Sequence, residues 1–204
     1  MLKQELPLST EQAQLMDIVL KESERLNQTI KSFLAYARPQ RFSMQRLDLR
    51  PIVQETAMLL RNSTDVDERH QVDVRLADEP VYVNADEGQI RQIIWNLATN
   101  GVRAMPNGGT LRISAVYDRV AEGRVAVLRV EDQGVGIAPE DVDSIFQPFR
   151  GSFGKGSGLG LAIVHRIVTD YGAHIEVKPR IEGGTEFRIT FPEAADLRAT
   201  RQAS

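Results

Sequence analysis

Asn96-Leu-Ala-Thr-Asn-Gly-Val-Arg-Ala lies near the end of a segment, residues 85–105, whose apolar residues Ile90, Ile93, Ile94, Leu97 and Ala104 recur at helical spacing. The spacing predicts an amphipathic helix closed by Pro106-Asn-Gly-Gly. Asn96 and Asn100 are four apart and share one face, with Arg103 three further along the same stripe. Two neutral amides and a guanidinium suit a hard cation with phosphates, because an amide oxygen ligates Mg²⁺ and arginine pairs with phosphate oxygens. Taken alone, the stripe reads more readily as a solvated polar face.

Two glycine-rich segments follow. Asp132-Gln-Gly-Val-Gly-Ile ends an apolar strand, and Gly134 and Gly136 allow a tight turn and close approach to a flat ligand. Asp132 offers a carboxylate acceptor matched to a purine amino group. Gly154-Lys-Gly-Ser-Gly-Leu-Gly-Leu leads into a helix, so its main-chain N–H groups form an anion site where the helix begins. Neither segment fits the two commonest nucleotide motifs. Lys155-Gly156-Ser157 separates the lysine from the hydroxyl that a Walker loop needs next to it. Gly156-Ser-Gly-Leu-Gly follows a loop, where a dinucleotide fingerprint requires the first strand of a βαβ unit.

The rest of the chain reads as mixed α/β after a helical arm. Residues 10–37 contain no Pro or Gly, and Ala13, Met16, Val19, Leu20, Ser23, Leu26, Ile30, Phe33, Leu34 and Ala37 mark one face of a long helix. Ser9 and Thr10, with Glu11 and Gln12, supply N-terminal capping chemistry, and Pro39 stops the helix. Leu2 and Leu6 before Pro7 suggest the end of an earlier helix, and a stripe with so little chain to cover it predicts either packing onto the following domain or, as the favoured reading, a helical dimer interface. Residues 38–47 read as a connector and residues 49–60 as a helix. Val72-Asp-Val-Arg-Leu and Val81-Tyr-Val read as strands turned at Asp78-Glu-Pro. Residues 110–117 and 124–131 form a hairpin across a polar loop, 118–123. Helices are expected over 139–146 and 159–171, and a second hairpin joins residues 175–178 and 186–191 across Glu182-Gly-Gly. Beyond Pro192 the chain is a polar tail. The sum is an α+β two-layer sandwich. Its expected divisions are a partial helical hairpin over 1–40, the sandwich domain over 41–192 and a tail over 193–204.

Composition narrows the function. The 204 residues are 42% hydrophobic and 26% charged, ordinary for a soluble globular chain. A net charge of −3 gives no pull toward nucleic acid or anionic lipid, and no apolar run reaches ~18 residues, so neither nucleic acid nor membrane contact is expected. The absence of cysteine excludes thiol chemistry and Cys-ligated metals, and fits a cytoplasmic, reducing setting.

In their order and detail these segments resemble the sensor histidine kinases of two-component systems. Asn96-Leu-Ala-Thr-Asn-Gly-Val-Arg-Ala resembles their N box and Asp132-Gln-Gly-Val-Gly-Ile their first glycine box. Ile145-Phe-Gln-Pro-Phe resembles the phenylalanine box, Gly156-Ser-Gly-Leu-Gly-Leu-Ala-Ile-Val the second glycine box, and Gly183-Gly-Thr-Glu-Phe the closing strand. The ending Phe33-Leu-Ala-Tyr-Ala-Arg-Pro of the long helix is similar to the nitrogen-regulation branch.

The resemblance implies a Bergerat-type ATP-binding sandwich that uses ATP and Mg²⁺. It implies that Asn100 ligates Mg²⁺, that Asn96 orients a nucleophile or water, and that Asp132 accepts the adenine amino group. Gly134 and Gly136 admit the purine, Thr185 adds a hydroxyl contact, and Ile137, Ile145 and Leu161 form apolar walls. Arg103, Lys155 and Arg150, with the segment Gly156, Gly158, Leu159 and Gly160, hold the phosphates. Gly101 stands where alanine is usual, a change expected to cost helix stability only. The segment Arg150-Gly-Ser-Phe-Gly-Lys is shorter than the family's usual lid. The family's phosphoacceptor histidine segment has no counterpart: His70 reads as lying in a polar loop, His165 as solvent-facing on a helix and His174 as a strand start. Residues 1–6 resemble the last turns of the acceptor helix, so the chain is expected to begin just past it and to need a histidine-bearing partner. The implied partners are a response-regulator receiver domain and a second copy through the N-terminal helix, with a full-length protein open to membrane anchoring. Competing readings are a serine kinase of the anti-sigma-factor type, which lacks such an arm, and a degenerate nucleotide-binding dimerisation module.

Overall fold

A computed structural model describes residues 9–37, 43–120, 123–150, 158–181, 183–192 and 194. Helix α1 spans Thr10–Ala37. Ser9 caps it reciprocally: Gln12 N donates to Ser9 Oγ (3.3 Å) and Ser9 N to Gln12 Oε1 (3.0 Å). Leu15, Ile18, Val19, Leu20, Leu26 and Ile30 are exposed along α1. The helix lies against α4, Gly160–Asp170. The residues read as an earlier helix before Pro7, the Pro39 stop and the tail from 195 lie outside the described residues.

The remaining elements are β1 Gln45–Asp48, α2 Leu49–Arg61, β2 His70–Leu76, β3 Tyr82–Ala85 and α3 Glu87–Ala104. They are followed by β4 Gly109–Val120, β5 Gly123–Glu131, a 3-10 turn Pro139–Asp141, α4, β6 His174–Pro179 and β7 Thr185–Phe191. A five-stranded sheet runs β2-β4-β5-β7-β6, with only β2 and β4 parallel. Helices α2, α3 and α4 cover one face, which makes the two-layer α+β sandwich expected from the periodicities.

Alternation builds the core. Leu111, Ile113 and Ala115 of β4, Leu128 and Val130 of β5, and Phe187, Ile189 and Phe191 of β7 point inward. Register sets Ile113 opposite Val130 and Leu128 opposite Ile189. Against them pack Ile90, Ile93, Ile94 and Leu97 of α3, Val164 and Val168 of α4, and Leu49, Val53 and Leu60 of α2, all essentially buried. Each such side chain contributes about 1.5–3 kcal/mol by leaving water. Asp48 and Asp86 cap α2 and α3, accepting from Arg50 N (3.1 Å) and Gln89 N (3.2 Å). Tyr171 locks the end of α4 to the start of α3: its hydroxyl donates to Gln89 Oε1 and accepts from Asp86 N (3.0 Å). Burial pushes that phenol up to about 12.

Several expectations are corrected. β3 does not turn back on β2; it pairs antiparallel with β1, which the connector reading concealed. Gln45-Arg-Leu-Asp is four residues long and mostly polar, too short for alternation to show. The 139–146 helix reduces to the 3-10 turn and isolated turns after it, in which Asp141 O accepts from Ser144 N (2.8 Å), Ile145 N (3.0 Å) and Ser144 Oγ (3.0 Å). The polar loop over 118–123 is largely strand, since β4 runs to Val120 and β5 begins at Gly123. His70 is no loop residue: it opens β2 with a side chain 6% exposed. Its Nδ1 is 2.8 Å from Asp67 Oδ1, and its Nε2 is 3.0 Å from Met105 O at the end of α3.

Those polar residues stay in strands because they pair across the outer sheet face. Asp118 accepts from Arg129 and from Arg188 (2.9 Å), and Arg188 also donates to Glu176 (3.1 Å). Burial opposes ionising Asp118, yet Arg188 and Arg129 hold its carboxyl below the usual range; Lys178 and Arg188 do the same for Glu176. Carboxyls with depressed values add stability above their unfolded-state pKa, and that stability is lost as pH falls through the folded value. Arg188→Met is therefore expected to cost about 1–2 kcal/mol at neutral pH, because one guanidinium closes a partly buried network. Thermal melts of the two proteins should converge on acidification; a gap that persists at low pH would mean the loss is packing.

Candidate nucleotide site

The site is built on α3. Asn96 Nδ2 donates to Gly160 O (3.3 Å) at the first residue of α4. A Cβ placed on Gly160 would lie 3.7 Å from Asn96 Oδ1 and 3.8 Å from Asn100 Nδ2. The two N-box amides therefore face the start of α4, where no described side chain caps the helix and Leu159 is fully buried. Free first-turn N–H groups on an eleven-residue helix carry partial positive charge and suit anionic oxygens. The Asn100 amide has no hydrogen bond to another described residue.

One residue further, α3 meets the end of β5. A Cβ on Gly101 would sit 2.7 Å from Leu111 Cδ1 and 3.2 Å from Asp132 Cβ. The glycine therefore does more than weaken the helix, as its sequence reading had it: it lets α3 approach the Asp132 carboxylate. Asp132 is 3% exposed, and its Oδ1 accepts from Gly134 N (2.8 Å) and Thr185 N (3.2 Å). Its Oδ2 accepts from no described residue. Burial raises the carboxyl pKa; the Gly134 and Thr185 N–H groups and the Arg180 charge partly oppose that rise.

The first glycine box runs along the end of α3. Val135 N donates to Ala104 O (3.0 Å), and a Cβ on Gly134 would lie 2.5 Å from that oxygen. Gly136 takes φ 76, where only glycine is relaxed. Ile137, Ile145 and Leu161 are half-buried against the core. Gly158, at φ 68, packs on Phe149, whose N donates to Gly158 O (2.9 Å). Arg150 is exposed, and Arg103 Nη2 lies 3.6 Å from Asp65 Oδ1. Thr185 meets Asp132 through its main chain, its O accepting from Asp132 N (2.9 Å). Lys155 and Gly156 lie outside the described residues. His165 is exposed beside Phe146, and His174 is exposed at the start of β6.

One residue of the site escaped the motif reading, and a second was read only as part of the closing strand Gly183-Gly-Thr-Glu-Phe. Arg180 Nη1 donates to Asp132 O (2.9 Å), and Gly184 passes so close to Asp132 that a Cβ would lie 2.1 Å from the same oxygen. Sheet register brings both in, and no local pattern marks Arg180. Among the described residues no group of three or more His, Cys, Asp or Glu is placed to hold a metal. A Mg²⁺ site with one neutral protein oxygen still fits, since this ion is commonly held by few protein ligands together with substrate phosphates and water.

Comparison with known proteins identifies the family and the fold. The profile of the histidine kinase-, DNA gyrase B-, and HSP90-like ATPases matches residues 85–195. Sporulation kinase D of Bacillus subtilis (strain 168) is 35% identical over 181 residues, 87% of this chain and 34% of that protein. Sensor histidine kinase ZraS of Escherichia coli (strain K12) is 30% identical over 187 residues, 91% of this chain and 39% of that protein. The chain thus spans between a third and two fifths of the length of these curated relatives. Full-length ShkA in complex with AMPPNP superposes with a TM-score of 0.75 at 26% identity, over 97% of this chain and 43% of that one. The catalytic domain of histidine kinase ThkA, nucleotide-free, gives 0.65 at 25%, over 74% and 97%. Named relatives are histidine kinases, which favours neither the serine-kinase nor the degenerate-module reading. The chain belongs to the histidine kinase-, DNA gyrase B- and HSP90-like ATPase family, and its sandwich is an ATP-binding domain of the sensor histidine kinase type.

Proposed function

We propose that this chain binds Mg-ATP and transfers the γ-phosphoryl group to a histidine carried by another segment or chain, for relay to an aspartate of a response-regulator receiver domain. The observation that carries the reading is the Asp132 carboxylate: buried, held by two N–H groups on Oδ1, and open on Oδ2 beside α3. Such an acceptor selects a purine bearing an amino group. Bound ATP supplies the transferable phosphoryl group, and Mg²⁺ neutralises phosphate charge. Asn100 is the metal ligand of the set. The free N–H groups at the start of α4, with Arg103, Arg150 and Lys155, hold phosphate oxygens. Asn96 cannot serve as a base at neutral pH; hydrogen-bonded to Gly160 O, it orients the neighbouring groups. Phosphoryl transfer asks mainly for positioning and charge stabilisation, which this set provides.

The division into a dimerisation arm over 1–40, a catalytic domain over 41–192 and a tail over 193–204 belongs to the same proposal. The exposed Leu15, Val19, Leu26 and Ile30 of α1 support pairing with a second copy. No described helix is long and apolar enough to cross a membrane, and the proposed site of action is the cytoplasm, whatever anchors a longer protein.

The test is titration calorimetry of the chain with ATP, with and without Mg²⁺. Binding strengthened by Mg²⁺ is expected. Asn100→Ala should remove that Mg²⁺-dependent increment, about tenfold, while leaving metal-free nucleotide binding in place. An increment that survives in Asn100→Ala would overturn the ligand assignment, and no binding at millimolar ATP would overturn the reading itself. Labelled ATP, mixed with a histidine-bearing dimerisation helix, should then yield an acid-labile phosphorylated product.

A further inference from the structure

Arg180 follows β6 in the turn to β7, outside every motif. Its main chain closes that turn: Arg180 N donates to Gly184 O (3.1 Å) and Gly183 N to Arg180 O (3.1 Å). The turn folds over the end of β5, where Arg180 Nη1 reaches the main-chain carbonyl of Asp132 at 2.9 Å. On its other side the guanidinium Nε lies 3.6 Å from Glu131 Oε1, and the two side chains are only 17% and 16% exposed. Long cationic side chains ordinarily keep their heads in water. This one is drawn in along the end of the strand that carries the purine-reading carboxylate.

The contact falls where the sheet leaves a gap. Asp132 is the first residue beyond β5, and its N–H still finds Thr185 O (2.9 Å). Its carbonyl points at Gly184, which leaves no space for a side chain there. An unpaired carbonyl in such a place costs about 1–3 kcal/mol, and the peptide that contains it would keep only the long bond from Gln133 N to Met105 Sδ (3.4 Å) among the described residues. That peptide links Asp132 to Gln133, so its orientation governs where the carboxylate aims and where the first glycine box begins.

We propose that Arg180 is a positioning residue for purine recognition: by holding the Asp132 carbonyl it fixes the open carboxylate oxygen without itself touching the nucleotide. The inference rests on the reading of Asp132 as acceptor of the adenine amino group. The same guanidinium opposes the effect of burial on the Asp132 carboxyl. Among the described residues, other groups against Asp132 are Gly101 from α3 and Thr185 and Gly184 from the β7 side, none of them ionisable; Glu131 precedes it in the chain and lies beside Arg180. Without Arg180 the carboxyl therefore holds its proton to higher pH, and a proton on Oδ2 turns that oxygen into a donor and removes the charge that strengthens its bond to an amino group.

The experiment uses the whole chain as parent, Arg180→Met and Arg180→Lys. The Asp132 carboxyl carbon is titrated by NMR without nucleotide, and Mg-ATP affinity is measured by calorimetry from mildly acidic to mildly alkaline pH. In Arg180→Met the Asp132 midpoint is expected to rise, affinity at neutral pH to fall about tenfold, and the acid limit of binding to move up with the midpoint. Arg180→Lys should restore most of the midpoint. If Arg180→Met does not fold, Arg180→Gln keeps an N–H donor without the charge and should show the same rise. A lowered melting temperature with unchanged midpoint and affinity would make Arg180 a packing residue and overturn the proposal alone. A parent chain that binds no ATP overturns the purine reading and the proposal with it, whatever the titration shows.

Discussion

Asp132→Asn is expected to lower ATP affinity by about a hundredfold or more while leaving the melting temperature unchanged or raised. Oδ1 is committed to Gly134 N and Thr185 N, so the asparagine oxygen takes that place and its NH₂ replaces Oδ2. A donor then faces the adenine amino group, itself a donor. Losing a charge-assisted hydrogen bond and stranding two donors corresponds to about 3 kcal/mol or more. Stability moves the other way for a reason of sign. The folded-state pKa of Asp132 is raised, so its protonated form favours folding at low pH, and that contribution is lost as pH rises through the raised value. At neutral pH the ionised, buried carboxylate is a net cost to the fold, which a neutral amide removes. Calorimetric titration with ATP and thermal melts of the same samples check both halves. Retained affinity would exclude Asp132 as the purine acceptor. A collapsed melting temperature would make it a structural carboxylate.

Gly184→Ala is expected to be the most damaging single methyl addition in this neighbourhood, at about 3–5 kcal/mol. Its φ is 91, a region that costs an L-residue about 1–2 kcal/mol. The new Cβ would also lie 2.1 Å from Asp132 O and 2.8 Å from Gln133 Cα, and main chain cannot step aside as a side-chain tip can. Gly183 supplies the control. It has φ 88, but a Cβ there meets nothing within 4 Å. Gly183→Ala should therefore cost only the conformational part, about 1–2 kcal/mol. Denaturant titration of the two variants separates backbone conformation from collision. Equal losses would show that no close approach to Asp132 exists, which would also weaken the case for Arg180.

Much of this was legible along the chain because the signals are local. Ile90, Ile93, Ile94 and Leu97 repeat at the helical period, and Phe187, Ile189 and Phe191 alternate at the strand period, so α3 and β7 announce themselves. The glycine boxes could be read for the same reason: a backbone that must turn tightly or lie against another backbone can use little else. Elements that take their shape from distant partners were not legible. Gln45-Arg-Leu-Asp is a strand only because Tyr82–Ala85 lies beside it. Asp118 and Arg119 stay in β4 because their sheet partners on β5 and the guanidiniums of Arg129 and Arg188 await them. His70 sits beside the end of α3, far from its neighbours in sequence.

From the order of residues alone came the sandwich and the helices α3 and α4, which follow from periodicity. Asn100 and Asp132 stood out as a pair only once the order of the motifs matched a family. Only the folded chain decided that Gly101 lets α3 close on Asp132, that Gly184 leaves that carbonyl exposed to Arg180, and that the guanidinium then holds it. Such contacts join residues dozens of positions apart, and their energy depends on register between strands and on excluded volume, which a linear pattern does not encode.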